Sequence, residues 1–169
     1  MFSKDSLKLK IQTAVTVALI ASGIIPAVQA EVTDLSVDNP SGTTITNGST
    51  EYAVDLDSGG PYTVINAGTI TAASKTEDVS AIQIDDVAVT TLTNTESATI
   101  SGTVYGIGGY AYGIHLLGYY NETSITTLTN SGTISGSANN IGARGYGIYL
   151  YTGYGYGDVS ITTLTNSGT

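Results

Sequence analysis

The chain has 169 residues, fourteen acids against five basic residues for a formal net charge of −9, and no cysteine. That is the length of one ordinary domain. The missing cysteine excludes a disulfide framework and any thiolate metal site, and the acid excess repels phosphate backbones and anionic membrane surfaces, so nucleic acid is excluded as a partner.

The first predicted element is a targeting segment. Lys4, Lys8 and Lys10 form a basic start, and Ile11 to Ile25 is apolar and uncharged. Pro26 breaks the run, and Val28-Gln29-Ala30 puts small residues at a cleavage position. A run of 15 residues is short of the ~20 that a spanning helix needs. Residues 1–30 are therefore expected to form a secretory signal-peptide helix, cut between Ala30 and Glu31, with an uncleaved anchor as the alternative. Residues 31–169 then keep only Lys75 and Arg144 against thirteen acids.

The rest of the chain repeats itself. Ile125-Thr-Thr-Leu-Thr-Asn-Ser-Gly-Thr133 returns unchanged at Ile161 to Thr169, thirty-six residues later. Looser copies run from Val64 to Ile70 and from Val89 to Asn94, the latter followed by Ala98 to Gly102. A second motif alternates with the first: Tyr52 to Leu56, Ser80 to Ile84, Tyr112 to Leu116 and Tyr146 to Leu150. Its apolar residues lie two apart (Val54/Leu56, Ile82/Ile84, Ile114/Leu116, Ile148/Leu150), the period of a strand with one buried face. The residue between them varies as Asp55, Gln83, His115 and Tyr149, which predicts a solvent-facing position. In the first motif Thr-rich strands flank Asn130-Ser131-Gly132, a turn in which Asn and Gly tolerate left-handed angles.

These features predict an all-β fold, a right-handed parallel β-helix. Each repeat is expected to span about two coils of roughly eighteen residues, stacked ~4.8 Å apart. Asn66, Asn94, Asn130 and Asn166 would align as an amide ladder, and Tyr52, Tyr112 and Tyr146 as a partial aromatic stack. By their parity with the buried aliphatics, Tyr112 and Tyr146 read as structural. A sandwich of antiparallel hairpins is the competing architecture, though its strands are not usually near-copies of one another.

The Ile-Thr-Thr-Leu-Thr-Asn-Ser-Gly-Thr-Ile-Ser-Gly string, the following Tyr-Gly-Ile-aliphatic strand and the N-terminal signal resemble the passenger region of autotransporters, the type V secreted proteins of Gram-negative bacteria. The resemblance covers nearly all of residues 31–169. It implies a β-helical passenger carried outward by a C-terminal translocator barrel, acting as an adhesin or in self-association. The implied partners are molecules or glycans of a host or neighbouring-cell surface, and the implied place is the cell surface or the medium, or the periplasm where no barrel follows. The sequence ends inside a repeat with no barrel strands, so it is expected to be a truncated piece. Asn47-Gly-Ser49 and Asn121-Glu-Thr123 match glycosylation acceptors, which need a eukaryotic route that the resemblance argues against.

Four motifs carry residue types that could serve chemistry. Gly106-Ile-Gly108-Gly109 has the glycines of a dinucleotide turn, but a strand follows where a helix is needed. Gly153 to Asp158 has the look of a calcium-binding β-roll, yet the equivalent Gly118 to Glu122 keeps neither the glycine spacing nor the Asp. Asp57-Ser58-Gly59-Gly60 resembles a serine-nucleophile neighbourhood, but His115 is the only histidine and sits in the outward position. Asp57 and Asp85 occupy matching places, ~5 or ~10 Å apart, a separation that brackets the carboxylate pairs of glycoside hydrolases. The expectation is a non-enzymatic protein with no catalytic, cofactor or metal residues; a β-helical enzyme on extracellular polysaccharide, working through Asp57 and Asp85, is the alternative. Tyr110, Tyr119, Tyr120, Tyr154 and Tyr156 lie in Gly/Tyr-rich stretches and are the candidate partner-binding loop residues, because Tyr offers contact area with a polar tip.

Overall fold

The structure is a computed structural model and describes residues 35–47, 51–153 and 157–169. The expected signal segment, the cleavage expected between Ala30 and Glu31, and Tyr154 and Tyr156 lie outside the described residues. The described chain is all β, without a helix, and winds as a parallel β-solenoid of about four turns. Among the described residues no helix is long and apolar enough to cross a membrane.

Each of four coils contributes one strand to each of three parallel sheets, and a fifth strand extends the first of them. Sheet A holds β1 (Leu35–Asn39), β4 (Tyr62–Asn66), β7 (Ala88–Asn94), β10 (Thr123–Asn130) and β13 (Val159–Asn166). Sheet B holds β2 (Thr44–Thr46), β5 (Thr69–Ser74), β8 (Thr99–Val104) and β11 (Thr133–Ala138). Sheet C holds β3 (Tyr52–Leu56), β6 (Val79–Asp85), β9 (Tyr110–Gly118) and β12 (Arg144–Thr152). The β-branched residues that dominate these segments pack well on pleated surfaces and resist helix.

The coil length corrects an expectation. Sheet A pairs Val37 with Val64, Val64 with Leu92, Leu92 with Leu128 and Leu128 with Leu164, so successive coils advance by 27, 28, 36 and 36 residues. One repeat is therefore one coil of three strands, and not two coils of about eighteen residues. The Thr-Ile-Ser-Gly strand after each Asn turn is a side of its own, in sheet B, and closes the triangle that a two-strand reading leaves open.

The core is built of stacked columns, one aliphatic above the next. Sheet A supplies Val64, Leu92 and Leu128, sheet B supplies Ile70 and Ile100, and sheet C supplies Leu56, Ile82, Ile84, Ile114 and Leu116, all fully buried. Each coil thereby covers its neighbour's apolar face, as repeat architectures require. A second, narrower core fills the corner between sheets B and C with the small residues Ala72, Val79, Val104 and Ala111. There the two backbones approach so closely that a Cβ at Gly102 would stand 2.3 Å from the Tyr112 carbonyl oxygen.

The A–B corner is closed by the predicted amide ladder. Asn39, Asn66, Asn94 and Asn130 each donate a side-chain N–H to the Oδ1 of the next Asn, at 2.7, 2.7, 2.7 and 2.8 Å, the last acceptor being Asn166. Each also donates to a backbone carbonyl of the following coil, at Thr69, Thr99, Thr133 and Thr169. The turn residue Gly132 is needed for a different reason than left-handed angles. It has no positive φ; instead an added Cβ would stand 2.2 Å from the Ala98 carbonyl oxygen.

Candidate functional site

The outer face of sheet C carries the concentration of functional side chains. Its register lays them out in columns, one coil per row. Tyr52, Ser80, Tyr112 and Tyr146 form one column, and Asp55, Gln83, His115 and Tyr149 the next. Asp85, Leu117 and Tyr151 continue a third, at whose head Asp57 follows directly on the Leu56–Ile84 pair. The face divides along the solenoid axis. Carboxylates gather on the first two coils, beside the single ring of Tyr52, and aromatic rings crowd the next two.

The aromatic zone is one block. The Tyr112 ring stacks on His115 at 4.1 Å, on Tyr149 at 5.3 Å and on Tyr146 at 5.6 Å, with interplanar angles of 19°, 29° and 15°. Tyr110 joins from the start of β9, 6.3 Å from Tyr112 and 6.5 Å from Tyr146. Tyr146 and Tyr149 close the set at 4.9 Å. An open groove of about 310 Å³ runs over these rings. Tyr151 borders it, together with two opposite charges, Asp78 and Arg144. Asp78 accepts the Tyr110 backbone N–H at 2.8 Å, and the neighbouring Tyr146 hydroxyl holds the Arg144 guanidinium above its ordinary value.

A flip of the strand makes this block possible. Ala111 points into the narrow core, so Tyr110 and Tyr112 point outward. Ile114 and Leu116 point into the main core, so His115 points outward as well. The side-chain alternation therefore slips by one at Gly113, whose missing Cβ would meet Gly147 O at 2.5 Å and Ser135 O at 2.9 Å on the inside. Reading strict parity through Tyr112-Gly-Ile-His-Leu116 wrongly assigns Tyr112 and Tyr146 to the inner face. It also misses their contact with His115 and Tyr149.

The positions between the aliphatics are outward but only partly solvated. Gln83 is only 6 % exposed, on an outer face that also bears Tyr52, to which it is hydrogen bonded. Burial in the ring block pushes the His115 imidazole down to about 4, which keeps it neutral near pH 7. It is not the free surface histidine the sequence suggests, and a neutral imidazole between phenols offers one donor and one acceptor.

In the acidic zone, Asp57 and Asp85 stand on neighbouring coils, and Asp55 joins them. Burial, with the nearby Asp57 and Asp85 charges, raises the Asp55 carboxyl to about 7. Burial, followed by Asp86 and Asp57, raises Asp85 to about 6. The Oδ1 of each is buried without a hydrogen-bond partner. Asp86 is set apart. Its backbone has φ 54°, and its carboxylate accepts the N–H groups of Tyr119, Tyr120 and Asn121 at 2.8–3.2 Å. Burial raises that carboxyl, but the three donors outweigh burial and hold it below the usual range.

Of the candidate contact tyrosines, Tyr110 opens a strand and belongs to the block. Tyr119 and Tyr120 lie in the turn after β9, Tyr119 edge-on to Tyr151 at 6.4 Å and Tyr120 74 % exposed. Sequence reasoning placed Asp55 and Tyr149 at an outward position with Gln83 and His115, but missed Tyr151, Arg144 and Asp78 as their neighbours on this surface. A usable signal was the thirty-four-residue offset that superposes Tyr110 on Arg144 and His115 on Tyr149.

No protein-family model, no curated protein and no solved structure matches the chain.

Proposed function

We propose that this protein is an exported, non-enzymatic surface passenger of the autotransporter kind, making adhesive or self-associating contacts through the aromatic outer face of sheet C. The single observation that carries the reading is the groove over Tyr112, Tyr146 and Tyr149, because rigid phenols gathered on a solid scaffold supply contact area at low conformational cost. The N-terminal signal and the resemblance of the repeats to autotransporter passengers support export. The fold supports a scaffold role, since a solenoid holds its exposed rings on strands that cannot move independently.

The test is attachment and settling of cells that express the protein, compared with cells lacking it and with a Tyr149→Ala/Tyr151→Ala variant. Antibody labelling of intact cells measures display. Loss of attachment in the variant at unchanged display is the expected result; equal attachment by all three would overturn the reading.

A second reading, an enzyme acting on extracellular polysaccharide, is favoured by one observation. Asp55 and Asp85 are raised acids beside the exposed Asp57 carboxylate, and a general acid facing a carboxylate is what glycoside hydrolysis needs. Release of reducing ends that disappears in Asp55→Asn and Asp85→Asn would establish it in place of the adhesive reading.

A further inference from the structure

We infer that the groove over the Tyr112 block is a binding site for uncharged, hydroxyl-rich carbohydrate, a short stretch of a neutral hexose chain. The inference rests on the reading of this face as the contact surface, and names what the surface takes.

The lining carries the argument. A sugar ring has an apolar C–H face and a rim of hydroxyls that both donate and accept, so it needs aromatic surface and amphoteric polar groups together. The groove offers both. Its rings are mutually braced at 4.1–5.6 Å from Tyr112, so they are fixed before any ligand arrives. Each phenol hydroxyl donates and accepts, and the neutral His115 does the same through its two nitrogens. A purely apolar ligand would leave these polar tips unpaired, which is costly for each group it buries.

Charge then selects within carbohydrates. The groove holds one cation and one anion, Arg144 and Asp78, and is locally balanced. The adjoining rows of the same face carry Asp55, Asp57 and Asp85, and the chain as a whole is at −9. A uronate or sulfated chain extending along the axis from the groove would run onto this acidic cluster and be repelled by the charge it keeps, even though burial leaves Asp55 partly protonated near pH 7. A neutral chain meets no such barrier. The groove's volume, about 310 Å³, is at the lower end of the ~300–1,000 Å³ of small-molecule sites, so it holds a short segment while the rest of the chain lies outside.

The experiment uses the purified full chain and tyrosine difference absorbance, which is free of tryptophan overlap because the sequence has none, and the variants locate the signal in the groove. The probes are neutral gluco-, manno- and galacto-oligosaccharides, with polygalacturonate and a sulfated oligosaccharide as anionic comparators. The variants are Tyr149→Ala/Tyr151→Ala and, as a control outside the groove, Tyr105→Ala, with circular dichroism to confirm that both fold. We expect a saturable response to at least one neutral series, weakened about tenfold or more by the double variant and unchanged by the control. Three results overturn the inference: no response to any neutral series, a response equal in the double variant, or tighter binding of the anionic chains. If neutral sugars fail to bind while the double variant still abolishes cell attachment, the carbohydrate inference falls and the contact-surface reading stands.

Discussion

The Tyr112 and His115 rings stack 4.1 Å apart although they lie three positions apart in one strand, a spacing that regular alternation would put on opposite faces. Their contact depends on the slip at Gly113. A methyl group there would collide with the Gly147 and Ser135 carbonyl oxygens and with the Ile134 side chain, two of the three being backbone atoms that cannot rotate away. Gly113→Ala is expected to lower stability by about 3 kcal/mol, as overpacking against backbone does. Chemical denaturation checks it, and an unchanged midpoint would mean that the slip does not need glycine.

The same stack fixes the protonation of the only histidine. Burial depresses the His115 imidazole to about 4, and Tyr149 forms part of its cover. Removing that cover by Tyr149→Ala should return the imidazole toward its ordinary value of about 6.5. An NMR titration of the His115 ring carbons reads the shift directly. A wild-type midpoint already near 6.5 would contradict the packing.

The amide ladder makes a stability prediction. Asn94 donates to Asn130 and accepts from Asn66 in the closed A–B corner, so Asn94→Ala strands a donor above and an acceptor below. Each stranded group costs about 1–3 kcal/mol, and a loss of roughly 2–5 kcal/mol is expected. Urea unfolding measures it. In a solenoid the break should also split the transition, because coils interact only with their neighbours.

The acidic rows predict a pH dependence of definite sign. Burial first, and neighbouring carboxylates second, hold the Asp55 carboxyl at about 7 in the folded state. A folded value above the unfolded one gives stability that is complete at low pH and is lost as pH rises through the folded value. His115 works in the opposite direction between its ordinary value and about 4, so the comparison is made within one variant. Asp55→Asn should raise the melting temperature more at about pH 8 than at about pH 5. A constant difference across that window would show that Asp55 titrates normally.

Much of this molecule was legible in the repeats. The thirty-six-residue return of Ile125 to Thr133 required stacked copies, the paired aliphatics such as Ile114 and Leu116 marked the inner face, and Asn at a fixed place in each copy required a ladder. These are local properties: identical segments stacked in register must put identical side chains in contact.

Tertiary structure alone decided three things. It gave each coil a third side, because the Thr-Ile-Ser-Gly strand turns a corner that period and propensity do not register. It turned Tyr112 outward, because Gly102 and Gly136 bring the sheet B backbone so near to sheet C that only glycine fits on the inside. And it gathered Tyr110, Tyr146, Tyr149, Arg144 and Asp78 around one groove, since residues more than sixty positions apart become neighbours only once the length of each coil is set. Sequence period fixes what repeats; the winding of the coil fixes which repeats meet.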